Sequence, residues 1–142
     1  SYNIDFIGDL EYIYSENVIL DSELERDALE RHLKWGKEQE FWDYEYNYRS
    51  SIATAIHFKA RKECNIVGMN KTTDQLTTEE RDALEALEHM RWNVYMRSEG
   101  YVFSGSQEKS SRNDLGKMHH DLVDFEKLDD ATKRKDSRVG TK

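Results

Sequence analysis

The stretch from Thr77 to Gly100 is the part of the sequence that most restricts the fold. Thr77 and Glu80 form a capping box, a pattern that satisfies the first unpaired amide groups of a helix. Apolar residues then recur at helical spacing until Gly100, a residue type that commonly ends helices. The pattern predicts a long helix from Thr77 to about Glu99 within a mainly α-helical fold.

This helix carries two apolar stripes on roughly opposite sides. They consist of Ala83, Leu87, Met90 and Val94 on one side, and of His89, Trp92 and Met96 on the other. Because apolar side chains on both sides must be removed from water, we expect the helix to be covered on two sides.

Two shorter helices are predicted in the first half of the chain. Ser22 begins a second capping box, and helical spacing of apolar residues continues to about Gly36. A serine at position 50 or 51 caps the next helix, which ends between residues 64 and 68. A short extended segment is predicted near the N-terminus, over residues 2–9.

Aromatic residues alternate with charged or amide residues between positions 42 and 48. This period of two would fit a β-strand, but we favour an irregular packed loop. We expect these rings to pack inside the domain rather than to bind a partner. The last apolar patch lies at residues 122–128, and the chain beyond Asp129 is almost wholly polar.

Charge and cysteine content exclude several classes of protein. The net charge is −8, whereas a nucleic-acid track requires a basic stripe. The single cysteine, Cys64, excludes an intrachain disulfide and a cysteine-rich zinc site, which favours a reducing, cytoplasmic setting. No apolar run is long enough to cross a bilayer, and no signal peptide is recognisable.

Motifs for catalysis or metal binding are not found in the sequence. GxSxG, GxxxxGKS, GxGxxG and HExxH patterns do not occur. His89, His119 and His120 lack the spacing of metal ligands, and we interpret the adjacent pair as surface or capping histidines. We therefore expect a protein that is not an enzyme and that holds neither a metal nor a cofactor.

Two segments of the chain resemble each other. ERDALERHLKW ends at Trp35 and ERDALEALEHMRW ends at Trp92, and each places a histidine and a tryptophan on one helical face as HxxW. The histidines are His32 and His89. Such an echo predicts two related helices that face each other.

Residues that can bind a nucleotide accompany this echo. Trp35 and Trp92 could stack on a planar ring, and an arginine could bind phosphate bidentately. The candidate arginines are Arg49, Arg97 and Arg112. The alternative is that both tryptophans anchor a core.

From Leu84 to about residue 136 the chain resembles the RyR domain, the repeat first described in ryanodine receptors and also found in bacterial proteins. The resemblance rests on five features in order: Trp92, the Gly100–Tyr101 pair, Arg112 with Asp114, His119 followed by Leu122 and Val123, and the acidic segment 124–135. A weaker likeness to such a unit covers FWDYEYNYRSSIATAIHFKARKECNIVG in the first half.

The resemblance implies a small helical module of two unequal, pseudo-symmetric halves. Its parts would be a linker or the end of an upstream domain over 1–20, a partial RyR-like half over 21–74, the RyR domain over 75–136 and a tail over 137–142. In the family, the cleft between two such repeats can hold an adenine nucleotide, with tryptophan and arginine at the positions that match Trp92 and Arg112.

The resemblance therefore implies a sensory or regulatory module that binds a nucleotide or nucleotide-derived messenger. The tryptophans would stack on the base, Arg112 and Arg49 would neutralise phosphate, and His32 and His89 would orient the rings or bind the ligand. Bacterial relatives are often fused to nucleotide-binding or membrane modules, so we expect such a module upstream in the same polypeptide. The sequence is also compatible with a homo-oligomer. The alternative function is that of a structural or protein-interaction module.

Overall fold

The computed structural model describes residues 22–135 and is mainly helical. Three predicted segments lie outside these residues: the extended segment at 2–9, the linker at 1–20 and the tail at 137–142. In chain order the helices and strands are α1 over residues 22–32, α2 Glu38–Asp43, α3 Glu45–Glu63, α4 Thr78–Ser98, β1 Val102–Phe103, β2 Met118–His119 and α5 Asp130–Lys133. Single 3₁₀ turns lie at Thr73–Gln75, Lys109–Ser111 and Phe125–Lys127.

Helix α4 confirms the prediction made for it, including both ends. The Thr77 hydroxyl accepts a hydrogen bond from the Glu80 N–H at 3.2 Å, and the Glu80 carboxylate accepts one from the Thr77 N–H at 3.0 Å. At the other end Gly100 has φ +91°, and the Tyr101 N–H reaches back to the Met96 carbonyl at 2.9 Å. This left-handed residue and its 6→1 bond end the helix as a Schellman motif.

The capping contact gives a measurable prediction. Thr77→Ala removes the side-chain acceptor of the first turn, so we expect the free energy of unfolding to fall by about 1 kcal/mol. Urea denaturation followed by circular dichroism measures this change. Thr78→Ala, one residue later and exposed, is the matched control, and an equal loss in both variants would contradict the capping role.

The interpretation of residues 41–48 as a loop is wrong, because this segment is helical. Phe41 is fully buried in α2, Tyr44 is extended and separates the two helices, and α3 begins at Glu45. The Tyr48 hydroxyl donates to the Glu25 carboxylate at 2.8 Å. This contact with α1, 23 positions earlier in the chain, favours a helix at Tyr48 although the sequence alternates as in a strand.

Two predicted helix starts are also corrected. Ser22 is already helical, so it does not cap α1, although the helix itself is present up to residue 32 and is followed by a turn at 33–35. Helix α3 begins five residues before Ser50, and Ser51 is buried inside it. In α3, the residues from Glu45 to Arg49 extend the helix on the N-terminal side of the local capping signal.

By its internal contacts the chain divides into two units, residues 1–59 and 60–142. The first unit has a core of Ala28, Phe41 and Ala55. The pseudo-symmetry of the two halves and the predicted boundary at 74/75 stay predictions.

The core of the second unit is formed by Met96, Tyr101 and Leu122, with Trp92 and Tyr95 packed against it. The strands β1 and β2 pair in parallel, which places Phe103 opposite His119. Leu122 and Leu128 are buried as the last apolar patch predicts. Within the described part of the chain, no helix combines the length and the apolar character needed to span a membrane.

The expectation that α4 is covered on two sides is wrong for the described residues. His89 and Met96 of the second stripe are buried, and Trp92 is half-buried. On the first stripe Met90 and Val94 are 58% and 64% exposed.

Candidate functional site

A cavity of about 420 Å³ opens in the second unit between α4, β2 and the chain around α5. It brings together aromatic, histidine and cationic side chains. Its lining residues are His89, Trp92, Lys109, Arg112, His119, His120, Asp121, Thr132 and Lys135.

The wall opposite α4 is placed by a chain reversal at residues 113–118. Asn113 and Met118 form an antiparallel bridge, the Asn113 side chain accepts from the Gly116 N–H at 2.9 Å, and Lys117 has φ +51°. This turn lets β2 lie beside β1. Arg112 and His119, on either side of the reversal, therefore reach the same cavity.

Trp92 is held by the two histidines that flank it. The His119 ring meets it edge to face, with centroids 4.8 Å apart and an interplanar angle of 77°. His89 lies 5.7 Å away, and its Nε2–H donates to the Val123 carbonyl at 2.8 Å. Because His89 is buried and bonded in this way, Trp92 has a fixed orientation at the cavity wall.

His119 and His120 form a stacked pair in the cavity wall. Their ring centroids lie 4.5 Å apart at 13°, and both residues are more than nine-tenths buried. The Asp121 N–H donates to His119 Nδ1 at 3.1 Å, so the neutral ring carries its proton on Nε2. Burial, and then the charge of Arg112 and the neighbouring His120, lower the pKa of His119 to about 4.

The cavity has an excess of positive charge. Lys109, Arg112 and Lys135 line it against one carboxylate, that of Asp121. Arg112 uses its Nε–H to bind Asp114 at 3.1 Å. The edge formed by the two Nη groups can still bind a phosphate group bidentately.

His119, His120 and Asp121 also offer three ligand atoms within 4.8 Å of one another. Two observations argue against a metal ion at this trio. Three cationic side chains share the cavity, and His119 Nδ1 is already bonded to the Asp121 N–H. A neutral or anionic ligand suits these surroundings better than a cation.

Three of the seven residues predicted to bind ligand meet at this cavity: Trp92, His89 and Arg112. Arg97 is exposed and lines a different groove, beside Met90 and Phe125. The three predicted in the first half of the chain lie in the first unit, and their part in a common site stays a prediction; they are Trp35, His32 and Arg49.

The HxxW pair of the first unit, like that of the second unit, has a buried histidine beside a tryptophan. His32 is fully buried and its Nε2–H donates to the Lys37 carbonyl at 2.9 Å, with Trp35 at 4.2 Å between ring centroids. Trp35 is 57% exposed, so the alternative that it anchors a core is wrong. In both units the buried histidine positions the ring of a more exposed tryptophan.

Several residues of the cavity were not predicted from the sequence to bind a ligand. His119 and His120 are buried, which corrects their interpretation as surface or capping residues. Lys135 lines the cavity although it belongs to the almost wholly polar segment beyond Asp129. Lys109 gave no signal, since an isolated lysine in a polar loop is ordinary.

Comparison with known proteins adds no family to this geometry. The chain matches no protein-family model, no curated protein and no solved structure. The function therefore has to be argued from the cavity itself.

Proposed function

We propose that this chain is a non-catalytic sensory or regulatory module that binds a nucleotide or nucleotide-derived messenger. The observation that carries the proposal is that one cavity brings Trp92 together with Lys109, Arg112 and Lys135. A flat aromatic face binds a base, and clustered cations bind its phosphates.

The volume and the charge of the cavity fit this class of ligand. About 420 Å³ lies within the range of small-molecule sites, which begins near about 300 Å³. The lining charge of three cations against one carboxylate opposes the net charge of −8 of the chain. A local positive site on an acidic protein selects for a small anion, because a long polyanion would be repelled by the rest of the surface.

The neutral state of His119 adds selectivity. With its Nδ1 bonded to the Asp121 N–H, this ring presents its remaining proton on Nε2 at neutral pH. A hydrogen-bond donor next to Trp92 suits the nitrogen and oxygen acceptors of a base or ribose. The resemblance to the RyR domain, which places tryptophan and arginine in a nucleotide cleft, supports the same ligand class.

The binding test compares ligands that separate base from phosphate. Isothermal titration calorimetry of the 142-residue chain is carried out with ATP, GTP, ADP-ribose and cyclic AMP, and with adenosine and pyrophosphate as the two halves. We expect Arg112→Ala to weaken binding of phosphorylated ligands by roughly tenfold to a hundredfold, the effect of losing a charged hydrogen-bond pair. Adenosine binding should change little in the same variant.

Arg81→Ala is the matched control, since Arg81 is exposed on α4 and lies outside this cavity. Equal affinity in Arg112→Ala and the unaltered chain, or no binding of any of these ligands, would overturn the proposal. Arg49→Ala tests the sequence prediction that the first unit contributes to the site. A loss of affinity there would extend the site to residues 1–59.

The second candidate function is the alternative predicted from the sequence, a protein-interaction module. The observation that favours it is the exposed aromatic surface of the first unit, where Trp35, Trp42 and Tyr44 are 57%, 50% and 60% exposed. Trp92→Ala separates the two functions. Because Trp92 packs against the core, its truncation lowers stability in either module, by up to about 3–5 kcal/mol. Only in the binding module does the folded variant also lose the ligand response.

The proposal also covers the setting of the module. A single exposed cysteine, Cys64, agrees with a reducing, cytoplasmic compartment. Ligand binding would act by shifting the population of an upstream nucleotide-binding or membrane module of the same polypeptide.

A further inference from the structure

The exposed stripe of α4 is an apolar surface that the described chain leaves in water. Ala83, Met90 and Val94 are exposed and Leu87 is half-buried. Their spacing of four, three and four residues is that of the a and d positions of a coiled coil. Val123 and Phe125 form the neighbouring wall of a groove of about 500 Å³ along this stripe.

The two ends of the stripe carry opposite charges. Glu79 lies exposed in the first turn of α4, and Arg97 lies exposed in its last turn. At 100° per residue both lie on the same flank, about 50° from the centre of the stripe. The distance between them along the helix axis is roughly 27 Å.

This pattern is complementary to itself when a second α4 runs antiparallel. A two-fold axis near residue 88 pairs Glu79 with Arg97 of the second copy, Ala83 with its Val94, and Leu87 with its Met90. The acidic end then meets the basic end twice, and the apolar residues cover each other. A parallel arrangement would place like charges together at both ends, which disfavours it.

We propose that a second copy of this chain covers the exposed stripe of α4, through an isologous antiparallel contact. The occupant is argued from the charges, because an antiparallel second copy brings the exposed Glu79 of each chain to the exposed Arg97 of the other. The stripe has four apolar residues, whereas a stable interface has about 20–30 residues on each side. The dimer should therefore be weak, with a dissociation constant on the order of 10–100 µM.

Sedimentation equilibrium of the 142-residue chain over about 5 to 500 µM tests the dimer. We expect a reversible monomer–dimer transition that Met90→Glu abolishes, since two charges would face the apolar seam. Leu115→Glu is the matched control, because Leu115 is fully exposed and belongs neither to the stripe nor to the lining of its groove. Circular dichroism confirms that each variant is folded.

The charge pairing has its own test. Arg97→Glu should weaken the dimer by tenfold or more, because glutamates then face each other at both ends, and Glu79→Arg combined with Arg97→Glu should restore it. A chain that stays monomeric over the whole concentration range would overturn the proposal. A dimer that persists in Met90→Glu, or that the double variant does not restore, would also overturn it.

Discussion

Replacing Glu88 by alanine should destabilise the protein by about 3–5 kcal/mol, because this carboxylate neutralises two buried arginines. It accepts from Arg61 Nη2 at 2.9 Å, and from Arg91 Nε and Nη2 at 2.8 and 2.6 Å. The side chains of Glu88, Arg61 and Arg91 are 9%, 2% and 8% exposed. Without the carboxylate, both buried guanidinium groups lose the charged hydrogen-bond acceptor that they share.

The expected fall in melting temperature is roughly 10–20 °C for a domain of this size, measured by differential scanning calorimetry. Asp82→Ala is the control on the same helix, since Asp82 is exposed and should cost far less. Equal melting temperatures for the two variants would contradict the prediction.

A triple variant separates the value of the cluster from the cost of breaking it. Arg61→Met, Glu88→Leu and Arg91→Met together replace the three charges by apolar side chains of similar volume. Buried ion clusters replaced in this way often lose no stability. We therefore expect the triple variant to melt well above Glu88→Ala, which would show that the desolvated charge causes the loss.

Acid should destabilise the protein through His119. Burial, Arg112 and His120 lower its pKa to about 4 in the folded protein, whereas an unfolded histidine titrates near about 6.5. Between these values the unfolded chain binds a proton that the folded chain does not, so stability falls as pH falls through this window. The contribution of the neutral His119 to the free energy of unfolding is fully present above about pH 7. It amounts to at most about 3 kcal/mol.

Urea denaturation at several pH values between about 7.5 and 4.5 measures this dependence. His119→Asn is the comparison, because an amide oxygen can replace Nδ1 as the acceptor of the Asp121 N–H and does not titrate. Subtracting the two profiles removes the carboxylates common to both. Parallel profiles would show that His119 titrates alike in the folded and unfolded chain.

The same residue links stability to the proposed site. An anion bound beside Arg112 would offset part of the positive charge that acts on His119. Saturation with a phosphorylated ligand should therefore flatten the difference between the two profiles, and this can be measured in the same titration.

The sequence alone was sufficient to predict α4 and both of its ends. The capping box, the apolar spacing and Gly100 act within four residues of chain, so neighbouring residues suffice to specify them. It also located Trp92, His89 and Arg112 as candidates for a ligand site.

The start of α3 and the composition of the cavity depend on contacts between residues far apart in the chain. Phe41 and Tyr48 are helical because they pack on α1, a contact that an alternating pattern cannot encode. Lys109, His119 and Lys135 meet at Trp92 because the turn at 113–118 reverses the chain and the segment that follows returns to α4. Burial and charge at such a point depend on residues far apart in sequence, and no local spacing specifies them.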